Sequence, residues 1–195
     1  MSIRPKAVVV QRICPHYRVP LFLQMARSSK VVFAFAYGQS RPGDALKSLE
    51  PDGIVRLPLR NRWLAQASSW IWQTGAVGLA GDKTVDIFIV EANPRILSNL
   101  VLCLLARVRG KRILLWGHGV GSRKGAVARA LRIWLPRLLG GYIFYDNKRA
   151  EEVRNWGLPD RYIFVAKNAI DVREVYKLAE AWDNGKRSNF LYVGR

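Results

Sequence analysis

The stretch ILLWGHGVG, residues 113–121, decides the fold. Ile113, Leu114, Leu115 and Trp116 form an unbroken apolar run, as a parallel strand covered on both faces requires. The run passes straight into Gly117, His118, Gly119 and Gly121, where missing side chains let a ligand come close to the imidazole. In open parallel sheets ligands bind beyond the carboxyl ends of the strands, and this order of residues puts His118 there. An ordinary flexible Gly-His-Gly turn is the other reading of the same residues.

Working outward, apolar strands are expected at residues 7–10, 31–37, 54–57, 86–90, 142–145 and 162–165. Helices are expected between them: 19–27, with Leu21, Phe22 and Met25 on one face; 62–79, carrying Trp63, Trp70 and Trp72; 95–109, closed by Gly110; 124–139; and a short one capped by Asp146 or Asn147. Strand and helix alternate throughout. The predicted class is therefore α/β, with a Rossmann-like, mostly parallel sheet and helices on both faces. Residues 1–182 form that domain, the polar run 183–189 is a linker, and the apolar run 190–195 opens a second domain.

Charge narrows the partners. The 195 residues carry 32 Lys and Arg against 14 Asp and Glu, a formal charge of +18. No acid precedes Asp44, and none lies between Glu91 and Asp146. Such a surface favours phosphates, nucleic acid or anionic lipid headgroups. Two cysteines, Cys14 and Cys103, suggest neither a disulfide framework nor a zinc site, and a reducing compartment is the default. The most apolar helix falls well short of the ~20 residues that a membrane span needs. The N-terminal apolar run is too short for a signal peptide.

Four features, in order, resemble the N-terminal half of a GT-B glycosyltransferase of the large retaining family 4 (GT4). They are Tyr17-Arg18-Val19-Pro20-Leu21-Phe22 at the first helix, the glycine-bounded His118, Asn168-Ala169-Ile170-Asp171, and Phe190-Leu191-Tyr192-Val193-Gly194-Arg195. The resemblance implies transfer of a sugar from a nucleotide-sugar to an acceptor hydroxyl, with no metal and no cofactor beyond the donor itself. His118 matches the histidine that reaches the donor sugar, and Arg195 the arginine facing the donor diphosphate. Gly194, Gly117 and Gly119 belong to the same donor side. His16, Tyr17 and Arg18 fall on the acceptor side, where a helix start and an arginine suit an anionic group.

The departures are specific. The loop Gln11-Arg12-Ile13-Cys14-Pro15-His16-Tyr17 lacks the glycines common in the family, Ala169 replaces a glycine, and Lys167 stands where proline is usual. The lysine partner of Arg195 and the paired-glutamate motif are expected beyond residue 195, so the chain is expected to be an inactive fragment alone.

Plainer roles compete at each position. His16 caps a turn, Arg18 is a solvated arginine beside a hydrophobic staple, Glu91 is a loop carboxylate facing Arg95, and the three tryptophans are core or rest at a membrane interface. The helix at 124–139 sets Arg129 and Arg132 among Val127, Leu131, Ile133, Trp134, Leu135, Leu138 and Leu139, which suits either a core-packed helix with solvated arginines or, on the acid-free background, an anionic membrane surface and a lipid-linked or glycan acceptor. The expected location is cytoplasmic, on the inner face of the plasma membrane. A basic nucleic-acid-binding module and an anionic-membrane-binding module, both without catalysis, are the competing classes, but no motif for specific nucleic-acid recognition is present.

Overall fold

The computed structural model describes residues 4–65, 69–118 and 126–167, with Val172 and Tyr176. Strand β1 (Lys6–Gln11) sets the pattern. Val8 and Val10 enter one core and Val9 the other, since alternate strand residues point to opposite faces. A strand buried on both sides must lie inside a parallel sheet. β1 accordingly pairs in parallel with β2 (Val32–Tyr37) on one side and β6 (Ile87–Glu91) on the other.

The chain first builds outward from β1, through α1 (Val19–Ala26) to β2 and then β3 (Arg56–Pro58). It returns past β1 to β6 and continues through α2 (Leu97–Val108), β7 (Arg112–Gly117), α3 (Ala126–Leu139), β8 (Tyr142–Phe144), α4 (Asn147–Asn155) and β9 (Ile163–Val165). The seven-stranded order is β3-β2-β1-β6-β7-β8-β9, parallel throughout. Right-handed crossovers in opposite directions put their helices on opposite faces. α1 covers one, with Phe22 stacked on Phe35 at 4.5 Å. Residues of α2, α3 and α4 pack into the core on the other. The predicted α/β class and the helices on both faces are what the chain forms.

Helix ends follow their expected signals. Lys111 N–H reaches the Ala106 carbonyl at 2.9 Å and Gly110 N–H that of Arg107 at 3.0 Å, closing α2 in a Schellman motif. Asp146 caps α4 by accepting the Arg149 N–H at 2.7 Å.

The helix expected at 62–79 does not form. In its place stand an antiparallel hairpin, β4 (Arg60–Trp63) with β5 (Ile71–Thr74), and the 3-10 turn Val77–Gly81. Ile71, Trp72 and Thr74 are strand formers, and Trp63 and Ile71 face each other across the hairpin. Gly75, at φ 96°, adopts a backbone that no helix contains. The third strand begins two residues later than expected. Residues 168–171, the linker 183–189 and the run 190–195, with Gly194 and Arg195, lie outside the described residues, as does Gly119.

Candidate functional site

Strand order reverses between β1 and β6, and the loops leaving their carboxyl ends diverge there. Such a switch point is where an open α/β sheet leaves a crevice. A cleft of about 340 Å³ opens at this place. Arg12 and Ile13 wall it after β1, Ala92 and Asn93 after β6, Gly117 and His118 at the end of β7, and Tyr145 after β8. Tyr17 and Arg18, from the 3-10 turn that opens α1, complete the wall.

Four of the predicted site residues, Tyr17, Arg18, Gly117 and His118, therefore meet in one cleft. His16 does not join them. It is exposed, lies outside the cleft wall, and meets Tyr17 edge-on at 5.6 Å. His118 is exposed, with its ring centroid 4.5 Å from that of Tyr145 at 63°. Parallel pairing accounts for this neighbour: Gly117 lies beside Phe144, so the next residues along β7 and β8 are His118 and Tyr145.

Arg18 is not the solvated arginine of the plainer reading. It is only 5% exposed. Its Nη2 donates to the Tyr145 hydroxyl at 2.5 Å, and its guanidinium carbon lies 4.5 Å from the Trp116 ring centroid and 5.0 Å from that of Tyr145. Aromatic faces stabilise a desolvated cation, but they do not neutralise it. Among the described residues no ion pair includes Arg18, and its Nε and the Trp116 Nε1 both lack hydrogen-bond partners. The cleft thus holds a buried positive charge suited to an incoming anion. Burial pushes the Tyr145 hydroxyl above its ordinary pKa, with Arg18 opposing. At neutral pH Tyr145 therefore keeps its proton, and while its oxygen accepts from Arg18 its O–H can donate to an acceptor.

Glu91 is also not as expected. One carboxylate oxygen accepts the Arg12 N–H at 2.7 Å and the other the Asn93 side-chain N–H at 3.3 Å, so it clasps the β1 loop to the β6 loop rather than facing Arg95. Behind the same loop, the Arg12 carbonyl accepts from Gly38 N–H at 3.1 Å, Asn61 Nδ2 at 2.8 Å and Gln73 Nε2 at 3.4 Å. Asn61 and Gln73 come from the hairpin. The cleft wall is held from both sides by buried polar groups.

Gly117 serves packing as much as access. A Cβ there would lie 3.1 Å from the Ala92 Cβ and 3.2 Å from the Tyr142 hydroxyl, so a side chain would have to push these neighbours back by a few tenths of an ångström. Gly117→Ala is expected to cost about 1–3 kcal/mol, the range for overpacking a tight site. Thermal denaturation measures it, and an unchanged midpoint would mean that the strand ends yield freely.

Both cysteines are buried, and burial raises Cys14 to about 11 and Cys103 to about 12. They stay protonated at neutral pH and are poor nucleophiles. Among the described residues, no cluster of His, Cys, Asp or Glu is placed to hold a metal ion.

Tyr145 and the Trp116 indole went unread in the sequence. The available signal was position: Tyr145 directly follows a strand carboxyl end, like His118.

No family model matches the chain, and no curated protein matches it. Solved structures do. A UDP-N-acetylglucosamine 2-epimerase aligns over 84% of the chain and 48% of its own length, with a TM-score of 0.56 at 13% identity. Anabaena HepE, solved with UDP and glucose, aligns over 91% of the chain and 50% of its own, with a TM-score of 0.53 at 10% identity. The chain spans about half the length of each. This likeness is one of fold: the domain is Rossmann-like, of the GT-B type.

Proposed function

We propose that the chain is the acceptor-side half of a GT-B glycosyltransferase that moves a sugar from a nucleotide-sugar to an acceptor hydroxyl with retention. The observation that carries this reading is the switch-point cleft, where His118, Tyr145 and the buried Arg18 converge. The fold likeness to HepE, solved with UDP and glucose, supports it. The nucleotide-sugar is a substrate, and no resident cofactor or metal has a part.

In this reading His118 hydrogen-bonds a hydroxyl of the transferring sugar and holds its anomeric carbon in place while the bond to the donor diphosphate breaks, the diphosphate leaving with the negative charge. Arg18 and Tyr145 take the anionic group of the acceptor, a lipid-linked glycan of the kind used in envelope polysaccharide assembly. Arg195 and Gly194, with a domain downstream of them, face the donor diphosphate, and Gly117 and Gly119 let the donor approach the end of β7.

The test is to give the protein, carrying its downstream residues, a panel of nucleotide-sugars with lipid-linked acceptors and to follow nucleoside diphosphate release. Product NMR showing the donor's anomeric configuration in a new glycosidic bond supports the proposal. Inversion of the donor sugar at C2 with no acceptor consumed would favour an epimerase instead, the activity named for one fold neighbour. Arg18→Met keeps an unbranched side chain against Trp116 and removes the charge. It is expected to raise the acceptor KM about tenfold or more and leave the donor KM near its original value, since a charge-assisted hydrogen bond is worth roughly 1.5–3 kcal/mol. An equal change in both constants would remove Arg18 from the acceptor side.

A further inference from the structure

Two helices show apolar rows on the side away from the core. On α2, Leu100, Leu104 and Val108 recur at every fourth residue and are 52%, 63% and 77% exposed. On α3, Leu131, Trp134 and Leu138 fall at i, i+3 and i+7 and are 50%, 66% and 58% exposed. Both spacings place each set along one face of its helix. The core takes other residues: Leu102, Cys103 and Ala106 from α2, and Leu135 and Leu139 from α3. A helix that only covers a sheet turns polar residues outward. These two do not.

The rows lie on neighbouring helices. α2 and α3 both pack on β7, and the Arg107 Nε donates to the Leu138 carbonyl at 2.6 Å. Six large apolar side chains therefore face outward from one side of the sheet. Isolated exposed leucines need no explanation, but a contiguous patch marks an interaction surface.

Charge selects the occupant. From residue 92 to 145 there is no Asp or Glu, while Arg95, Arg107, Arg109, Lys111, Arg112, Arg123, Lys124, Arg129, Arg132 and Arg137 all fall there. Exposed Arg107 and Arg109 bracket Val108, and Arg137 lies 5.3 Å from the Trp134 ring. A second copy would set this positive surface against itself. A nucleic acid would satisfy the arginines but bury little of the apolar rows. An anionic bilayer meets both needs, with headgroup phosphates for the arginines and the acyl boundary for leucine and tryptophan. Among the described residues no helix is long and apolar enough to cross a membrane, so the contact is with its surface.

We propose that the outer face of α2 and α3 docks on anionic lipid bilayers. The inference stands independently of the glycosyltransferase reading. Cosedimentation of the whole chain with phosphatidylglycerol-containing vesicles should show binding that weakens as salt rises, with little binding to pure phosphatidylcholine. The triple variant Leu104→Ser, Trp134→Ser, Leu138→Ser should lose about tenfold or more in vesicle affinity at an unchanged melting temperature, as expected for removing buried apolar area. Acyl-brominated lipids should quench the parent's fluorescence, and Trp134→Phe should remove most of that change; this second measurement decides should the triple variant unfold. Equal binding to both vesicle types overturns the proposal. So does a triple variant that binds as the parent does, or one that merely turns a dimeric parent into a monomer.

Discussion

In the proposed glycosyltransferase, replacing His118 by alanine is expected to lower turnover about 100-fold or more while leaving the melting temperature in place. The two halves of this expectation have separate causes. His118 is exposed at the carboxyl end of β7, and its described contact is the edge of the Tyr145 ring, so truncation opens no cavity. Stability has little to lose. The imidazole nevertheless stands on a rigid strand end, in a cleft where Arg18 and Tyr145 already fix polar groups. A group so placed can hold the transferring sugar in the geometry that the transition state needs, and its loss then falls on kcat rather than on acceptor KM. His118→Asn, which keeps a side-chain N–H, should recover part of the loss. Turnover within a few-fold of the parent in the alanine variant would take His118 out of the chemistry.

How far the sequence speaks differs between sheet and site. Buried parallel strands announce themselves by composition: Val8-Val9-Val10 and Ile113-Leu114-Leu115-Trp116 have no alternative compatible with water. Helix ends with a glycine or an aspartate at the right offset, Gly110 and Asp146, are equally plain. The hairpin was not, because beside Ile71 its buried positions are the amides Asn61 and Gln73. Apolar periodicity is blind to a strand whose inward residues are amides satisfied by main-chain carbonyls from elsewhere. The burial of Arg18 escaped for a related reason. Nothing beside it in sequence shows that Trp116 and Tyr145, about a hundred residues away, enclose it. Gly117 was legible as a glycine but not for its reason, which lies in Ala92 just after β6 and Tyr142 on β8. The GT-B-type fold follows from strand order and from the fold neighbours. The narrower resemblance to family 4 draws on residues 168–171 and 190–195, which lie outside the described residues.

Two buried glutamines should respond in opposite ways, and the contrast tests how the cleft wall is held. Gln73 is fully buried. Its Nε2 lies 2.8 Å from Asn61 Oδ1, 3.1 Å from the Gln11 carbonyl and 3.4 Å from the Arg12 carbonyl, and its main-chain N–H reaches Ser98 Oγ at 3.0 Å. Gln73→Leu keeps nearly the same volume and strips the donor, leaving Asn61 Oδ1 without that hydrogen bond and the Gln11 carbonyl dependent on what remains. Each buried acceptor left wanting costs roughly 1–3 kcal/mol, so the expected loss is about 2–5 kcal/mol. For a chain of this length that lowers the melting temperature on the order of 10 °C. Gln11 is 6% exposed, yet its Nε2 has no partner among the described residues. Gln11→Met removes a buried donor that is already unsatisfied, so the expected change is within about 0.5 kcal/mol or slightly stabilising. Gln11 lines the cleft, so the melting temperature is the readout for this variant. If both variants lose stability equally, volume rather than hydrogen bonding governs the site. If neither does, the hairpin does not brace the β1 loop, and the orientation of Arg12 and Glu91 must be set from the front of the cleft alone.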